Sequence, residues 1–210
     1  NYEMYQSEVE HYTSQGYRLL VFGKYLGEFQ ETLTAEVQPL GYILLWNPIR
    51  KEAKATFEYF AEQNVAIKVI SGDNPLTVSN VAQAAGIIGA ENYVDARTLT
   101  TMEAQTEALE KYTVFGRVTP EQKKQFVLLL KKLDHTVAMT GDGVNDILAM
   151  KEADCSIAMA SGNQATAQAS QVVLLDSDFS TMPEVVFEGR QVVNNIERSS
   201  SLFLVKNIFS

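Results

Sequence analysis

The sequence predicts an α/β fold built on a doubly wound parallel sheet, and three observations carry that prediction. From about residue 41 onward, short apolar runs alternate with amphipathic segments. The runs are continuous and rich in β-branched residues, as suits strands covered on both faces of a parallel sheet. Three polar clusters stand directly after apolar runs, where the carboxyl ends of parallel strands meet and ligands bind.

The elements follow in order. "GYILLW" (41–46) reads as a strand and "IRKEAKATFEYFAEQ" as the helix after it. "VAIKVI" (65–70) is the next strand. "PLTVSNVAQAAG" is the next helix, with Pro75 preset for its first turn and Gly86 at its end. "TVF" (113–115) pairs with "PEQKKQFVLLLKKL", "HTVAMT" with "VNDILAMKEA", and "CSIAMA" with "NQATAQAS", before a last short run, "QVVLL". After Phe179 the pattern becomes one long terminal helix. The first 40 residues behave differently: "EVEHYTSQG" reads as a helix, and "YRLLVFGKYL" and "LTAEVQP" as strand pieces. No repeat or low-complexity segment interrupts the chain.

Composition narrows the function classes. With 46% apolar and 20% charged residues among 210, the chain is an ordinary globular one rather than a disordered one. A net charge of −9 leaves no basic stripe for phosphate backbones, so nucleic acid is not an expected partner. The lone cysteine, Cys155, has no partner for an intrachain disulfide and falls in an expected strand, as a small core residue in a reducing compartment does. No apolar run reaches the roughly 18 residues of a membrane span. The opening residues are neither basic nor apolar enough for a signal peptide. Both ends read as interior points of a longer chain, since "SSSLFLVKNIFS" turns apolar where the sequence stops.

The three clusters are "SGD" (71–73), "FGRVTPEQK" (115–123) and "TGDGVND" (140–146). In the last, Asp142 lies in a loop and Asp146 follows four residues later, so both carboxylates can face one pocket at a helix start. Two hard oxygen ligands there suit Mg²⁺, which keeps several waters and shares a substrate phosphate. Asn145 can donate to a phosphate oxygen, and Gly141 and Gly143 admit a close backbone approach. The plain alternative is a helix cap with a tight turn; it suits a bare "GDG" better than seven residues of this composition after a strand. "SGD" supplies the Ser71 hydroxyl and the Gly72 N–H, which alone is ordinary turn chemistry. Lys123 sits near a helix start on the same sheet edge, where a point charge can hold a phosphoryl group. Lys124, Lys131 and Lys132 read as solvated face.

In order and spacing, "SGDNPLTVSNVAQAAGI", "FGRVTPEQK", "TGDGVND", "AMKEADCSIAMASG" and "VVLLDSDFSTMPEVVFEGRQVVNNI" resemble the phosphorylation domain of P-type cation-transporting ATPases, of the haloacid dehalogenase superfamily. The resemblance runs from about residue 39 to the end. It implies a haloacid dehalogenase-like Rossmannoid fold over 39–180. Residues 1–38 would be an α+β remnant of a nucleotide-binding domain, and 181–210 a stalk helix leading to a membrane helix beyond this chain.

The resemblance also implies cofactors, ATP and Mg²⁺, and roles. Asp142 would ligate Mg²⁺ and Asp146 would support that metal site. Ser71, Gly72 and Asn145 would hold phosphoryl oxygens, and Lys123 would neutralise the phosphoryl group. Asp73 and Arg117 would contact the nucleotide, with Arg50 of "NPIR" near its entrance. The parent would be an integral membrane protein exposing this part at the cytoplasmic face of the plasma membrane. Its further partners would be a transported cation, calcium or another divalent ion, and the lipid bilayer.

Three departures stand out. Asn47 occupies a position where the family usually carries Asp, Ser71 replaces the usual Thr, and "DILAM" (146–150) lacks the common proline. More consequentially, the nucleophilic Asp-Lys-Thr-Gly-Thr segment of the family is nowhere in the chain. Asp95, Asp134, Asp154, Asp176 and Asp178 all lack that context. The expectation is therefore a domain that is inactive by itself. Two other readings exist: a soluble haloacid-dehalogenase-type phosphatase, and a non-catalytic nucleotide- or Mg²⁺-binding module. The first needs an Asp-x-Asp nucleophile near the start, and the first 40 residues contain no Asp.

Overall fold

The computed structural model describes residues 2–15, 17–27, 35–46 and 48–208. Asn47 lies outside them. Helix α1 (Tyr2–Ser14) precedes strands β1 (Arg18–Tyr25) and β2 (Val37–Leu45), which pair antiparallel with an irregularity between Phe22 and Gly23. The run 41–46 is therefore not the first strand of the parallel sheet. It continues a single strand through Pro39, which is tolerated because each strand of a two-stranded ribbon has a free edge.

The α/β alternation begins with α2 (Ala53–Glu62) and β3 (Val69–Ile70). It continues through α3 (Pro75–Ala84), β4 (Tyr93–Asp95), α4 (Met102–Lys111), β5 (Val114–Gly116) and α5 (Pro120–Lys132). Then come β6 (Ala138–Gly141), α6 (Ile147–Glu152), β7 (Cys155–Met159), α7 (Gln164–Ala169), β8 (Val172–Leu174) and α8 (Met182–Ile208). The expected strands and helices from 65 onward are present, although "VAIKVI" pairs only through its last two residues. β4 and α4 had no counterpart in the sequence reading. Among the described residues, no helix is long and apolar enough to cross a membrane.

The parallel strands form two sheets of three, in the orders β3-β5-β4 and β6-β7-β8. Helices hold them together. On α5, Phe126 and Leu129 pack with Phe115 of β5, while Val127 packs with Met139 of β6 and Ala158 of β7. On α2, Phe57 packs in the cluster around Val114, and Phe60 packs with Ile157 and Leu174. Phe115 and Phe126 are fully buried, with ring centroids 5.1 Å apart at 56°. β3 and β6 are each edge strands of their sheets.

Local chemistry fixes where the helices begin. Asn74 accepts from the backbone N–H of Leu76 at 2.9 Å, with Pro75 next to it. Thr119 and Gln122 form a reciprocal capping box at α5, again followed by a proline, Pro120. Gly86 ends α3 with φ +85°, and the N–H of Ile87 reaches back to the carbonyl of Ala82.

Candidate active site

The first two polar clusters are zipped into one unit. Beyond the β3–β5 pairing, Ser71 N–H donates to the Phe115 carbonyl at 2.9 Å, and Val118 N–H donates to the Ser71 carbonyl at 3.0 Å. Arg117 N–H donates to the Asp73 carbonyl at 2.9 Å. Ser71 Oγ accepts from the N–H of Asp73 at 3.1 Å, which leaves the hydroxyl proton for another acceptor. Arg117 is held at φ +56°, a left-handed conformation costly for a side chain with a Cβ and maintained here by that hydrogen bond. Gly116 faces Pro75 so closely that a Cβ would overlap the proline ring. These contacts fix the start of α3 against the start of α5.

Lys123, in the first turns of α5, carries that unit to the third cluster. Its Nζ donates to Asp146 Oδ1 at 2.6 Å, and the two side chains are only 13% and 10% exposed. Asp146 Oδ2 lies 3.4 Å from the N–H of Gly143. A Cβ at Gly141 would come 2.5 Å from that of Asp146, so glycine is what lets the Asp146 carboxylate sit against the end of β6. The residues 144–146 form a 3-10 turn leading into α6. Asp142 and Asn145 are both exposed beside it. The Asp142 carboxylate makes no hydrogen bond or ion pair among the described residues, so its oxygens are available.

Ser71, Gly72, Asp73, Arg117, Lys123 and Asp146 are thus joined by a continuous chain of contacts, with Asp142 and Asn145 in the loop it ends on. Arg50 is tied elsewhere: its guanidinium pairs with Asp178 at 3.2 Å, at the turn before α8. That pairing and the N–H of Ser180 hold the Asp178 carboxyl below the usual range, the Ser180 contribution being the larger.

The donor set fits a magnesium ion in one respect and limits it in another. Asp142 offers free hard oxygens at the end of a strand, whereas Asp146 is already committed to Lys123. Among the described residues no group of three or more His, Cys, Asp or Glu gathers as a metal cage. Such a site suits an ion that completes its shell with water and substrate oxygens. Sequence reasoning assigned Gly162 no role and counted Asn163 into the helix "NQATAQAS", whereas Asn163 caps α7, which begins at Gln164. The Asn163 N–H donates to the Asp142 carbonyl at 2.8 Å.

A protein-family model described as a haloacid dehalogenase-like hydrolase matches residues 7–154. The chain belongs to that family. Its sequence is 51% identical over 176 residues to a probable cation-transporting ATPase, exp7, of Streptococcus pneumoniae, covering 84% of this chain and 22% of that protein. It is 46% identical over 209 residues to the calcium-transporting ATPase CtpE of Mycolicibacterium smegmatis, covering 97% of this chain and 26% of the relative. Against an endoplasmic reticulum calcium ATPase, srcA, of Aspergillus fumigatus, identity is 32%, over 80% of this chain and 18% of that protein. The chain therefore spans about a quarter or less of the curated relatives it matches.

Proposed function

We propose that this chain is the phosphoryl-handling domain of an ATP-driven cation pump that works through an aspartyl-phosphate. The carrying observation is the Lys123–Asp146 pair, which joins the "SGD"/"GRV" unit to the Asp142 loop inside a nearly buried contact. In this reading Ser71, the Gly72 N–H and Asn145 donate to phosphoryl oxygens. Lys123 places a fixed cation beside the group, held in position by Asp146. Asp142 ligates Mg²⁺, with Asp146 supporting that site. When bound, the metal neutralises charge on the transferring phosphoryl group. Phosphoryl transfer is mostly positioning and charge stabilisation, so these groups suffice in kind.

The nucleophile is supplied by a segment outside these 210 residues. Its carboxylate takes the γ-phosphoryl group of ATP, releasing ADP, and water later cleaves the acyl phosphate. Among the described residues β3 and β6 each pair on one side only, which leaves room for a further strand beside either. Asp73 and Arg117 contact the nucleotide, with Arg50 near its entrance. Residues 1–38 belong to a nucleotide-binding unit, 39–180 to the phosphorylation unit and 181–210 to a stalk. The parent protein sits in the plasma membrane with this part at its cytoplasmic face. It moves calcium or another divalent cation across the lipid bilayer, a reading supported by its similarity to cation- and calcium-transporting ATPases.

The test is Mg²⁺-dependent hydrolysis of p-nitrophenyl phosphate and ATP by this chain. No turnover beside a folded circular dichroism spectrum is the expected result. Turnover abolished by Asp142→Ala would place a nucleophile within the chain and make it a self-sufficient phosphatase.

A further inference from the structure

Asp142 is exposed and its carboxylate is unpartnered, yet its main chain is held on one side by a turn from a different part of the fold. The turn after β7 covers residues 160–163. The Asn163 N–H donates to the Asp142 carbonyl at 2.8 Å. A Cβ on Gly162 would fall 2.6 Å from the Asp142 carbonyl oxygen, 3.0 Å from its Cα and 3.1 Å from its Cβ. Backbone of the turn and backbone of Asp142 are therefore in direct contact, with no space for any side chain between them.

The turn is the firmer partner. Gly162 N–H donates to the Met159 carbonyl at 3.0 Å, and Ala160 N–H donates to the Leu174 carbonyl of β8 at 3.0 Å. Ser161 N–H donates to Ser177 Oγ at 2.8 Å. Asn163 caps α7, its Oδ1 accepting from the N–H of Ala165 at 2.8 Å. Four anchors fix the turn, whereas the side chain of Asp142 has none. A side chain added at position 162 would therefore press on the Asp142 backbone, and the carboxylate, which no hydrogen bond holds among the described residues, would shift with it.

We propose that Gly162 and the backbone N–H of Asn163 are positioning elements for Asp142: they set where its carboxylate stands at the mouth of the site. The inference rests on the reading of Asp142 as the magnesium ligand. Outer-shell contacts that orient a metal ligand change metal affinity about 10- to 100-fold when removed.

The experiment is a titration of the whole 210-residue chain with Mg²⁺, followed by amide chemical shifts, with the melting temperature measured in parallel. Gly162→Ala should weaken the Asp142-dependent affinity about tenfold or more. Asn163→Pro and Asn163→Ala form a second pair. Both remove the cap on α7, but only proline removes the N–H that donates to Asp142, and the native φ of −69° accepts proline. Asn163→Ala should lower the melting temperature and keep the affinity, while Asn163→Pro should lose affinity as well. If Gly162→Ala matches the wild type and Asn163→Pro matches Asn163→Ala, the clamp is refuted while the metal site stands. If Gly162→Ala does not fold, the Asn163 pair decides by itself. If the wild type shows no magnesium binding that Asp142→Ala abolishes, the metal reading falls and the inference falls with it.

Discussion

The β1–β2 ribbon and the parallel-sheet region use the same kinds of residue and reach opposite outcomes. Leu20, Val21 and Phe22 are consecutive in β1, so they point to both faces of the ribbon, and all three are exposed. Val114 and Phe115 are consecutive in β5 and both are fully buried. The difference is one of neighbours. β5 lies between two strands, with helices packed against the sheet, whereas each strand of the ribbon has a strand on one side only among the described residues. Apolar composition marks a strand; burial depends on what packs against it.

The widest test of that contrast pairs two phenylalanines. Phe115→Ala should cost about 3–5 kcal/mol, because it opens a cavity beside Phe126. Phe22→Ala should stay within about 0.5 kcal/mol, as an exposed substitution does. Urea denaturation of both variants measures it, and equal losses would mean that the ribbon is as tightly packed as the core.

Charge pairs sharpen the same comparison. Lys123→Met would strand the Asp146 carboxylate in a nearly buried position, and breaking a buried pair from one side costs about 3–5 kcal/mol. Lys131 pairs with Asp154 at 2.9 Å with both side chains 37% exposed, so Lys131→Met should cost about 1 kcal/mol or less. Adding 1 M salt should leave the first effect in place and erase most of the second, which thermal melts can follow.

The smallest effect is one of pH. The Asp154 carboxyl is held below its usual range, first by the N–H of Val137 and then by the Lys131 ammonium. A carboxylate with a depressed folded-state pKa contributes stability that is full above its unfolded pKa, near 4, and lost as pH falls through the folded value. Asp154→Asn should therefore lower the melting temperature slightly at pH 7 and converge with the wild type below about pH 4, flattening the acid limb. An unchanged acid limb would show that the contact has no weight in solution.

Much of the fold was legible because its signals are local. Pro75 and Gly86 lie at the two ends of the helix that they define. β4 and α4 escaped for a physical reason as well. β4 is three residues long with Tyr93 exposed, and α4 buries Gln105, whose side-chain N–H donates to the Leu99 carbonyl at 3.1 Å. A polar residue on the core face breaks the periodicity that would have revealed the helix.

The sequence by itself determined the alternation of strands and helices, the three polar clusters at strand ends and the acidic character of the chain. Each follows from side-chain chemistry within a window of a few residues. Tertiary structure decided the pairing of Lys123 with Asp146, the diversion of Arg50 to Asp178, the turn pressed against Asp142 and the division of the parallel strands into two sheets. Those depend on how helices α2 and α5 bridge the sheets. Contacts between distant segments are fixed by packing and register across the whole domain, which no short window contains.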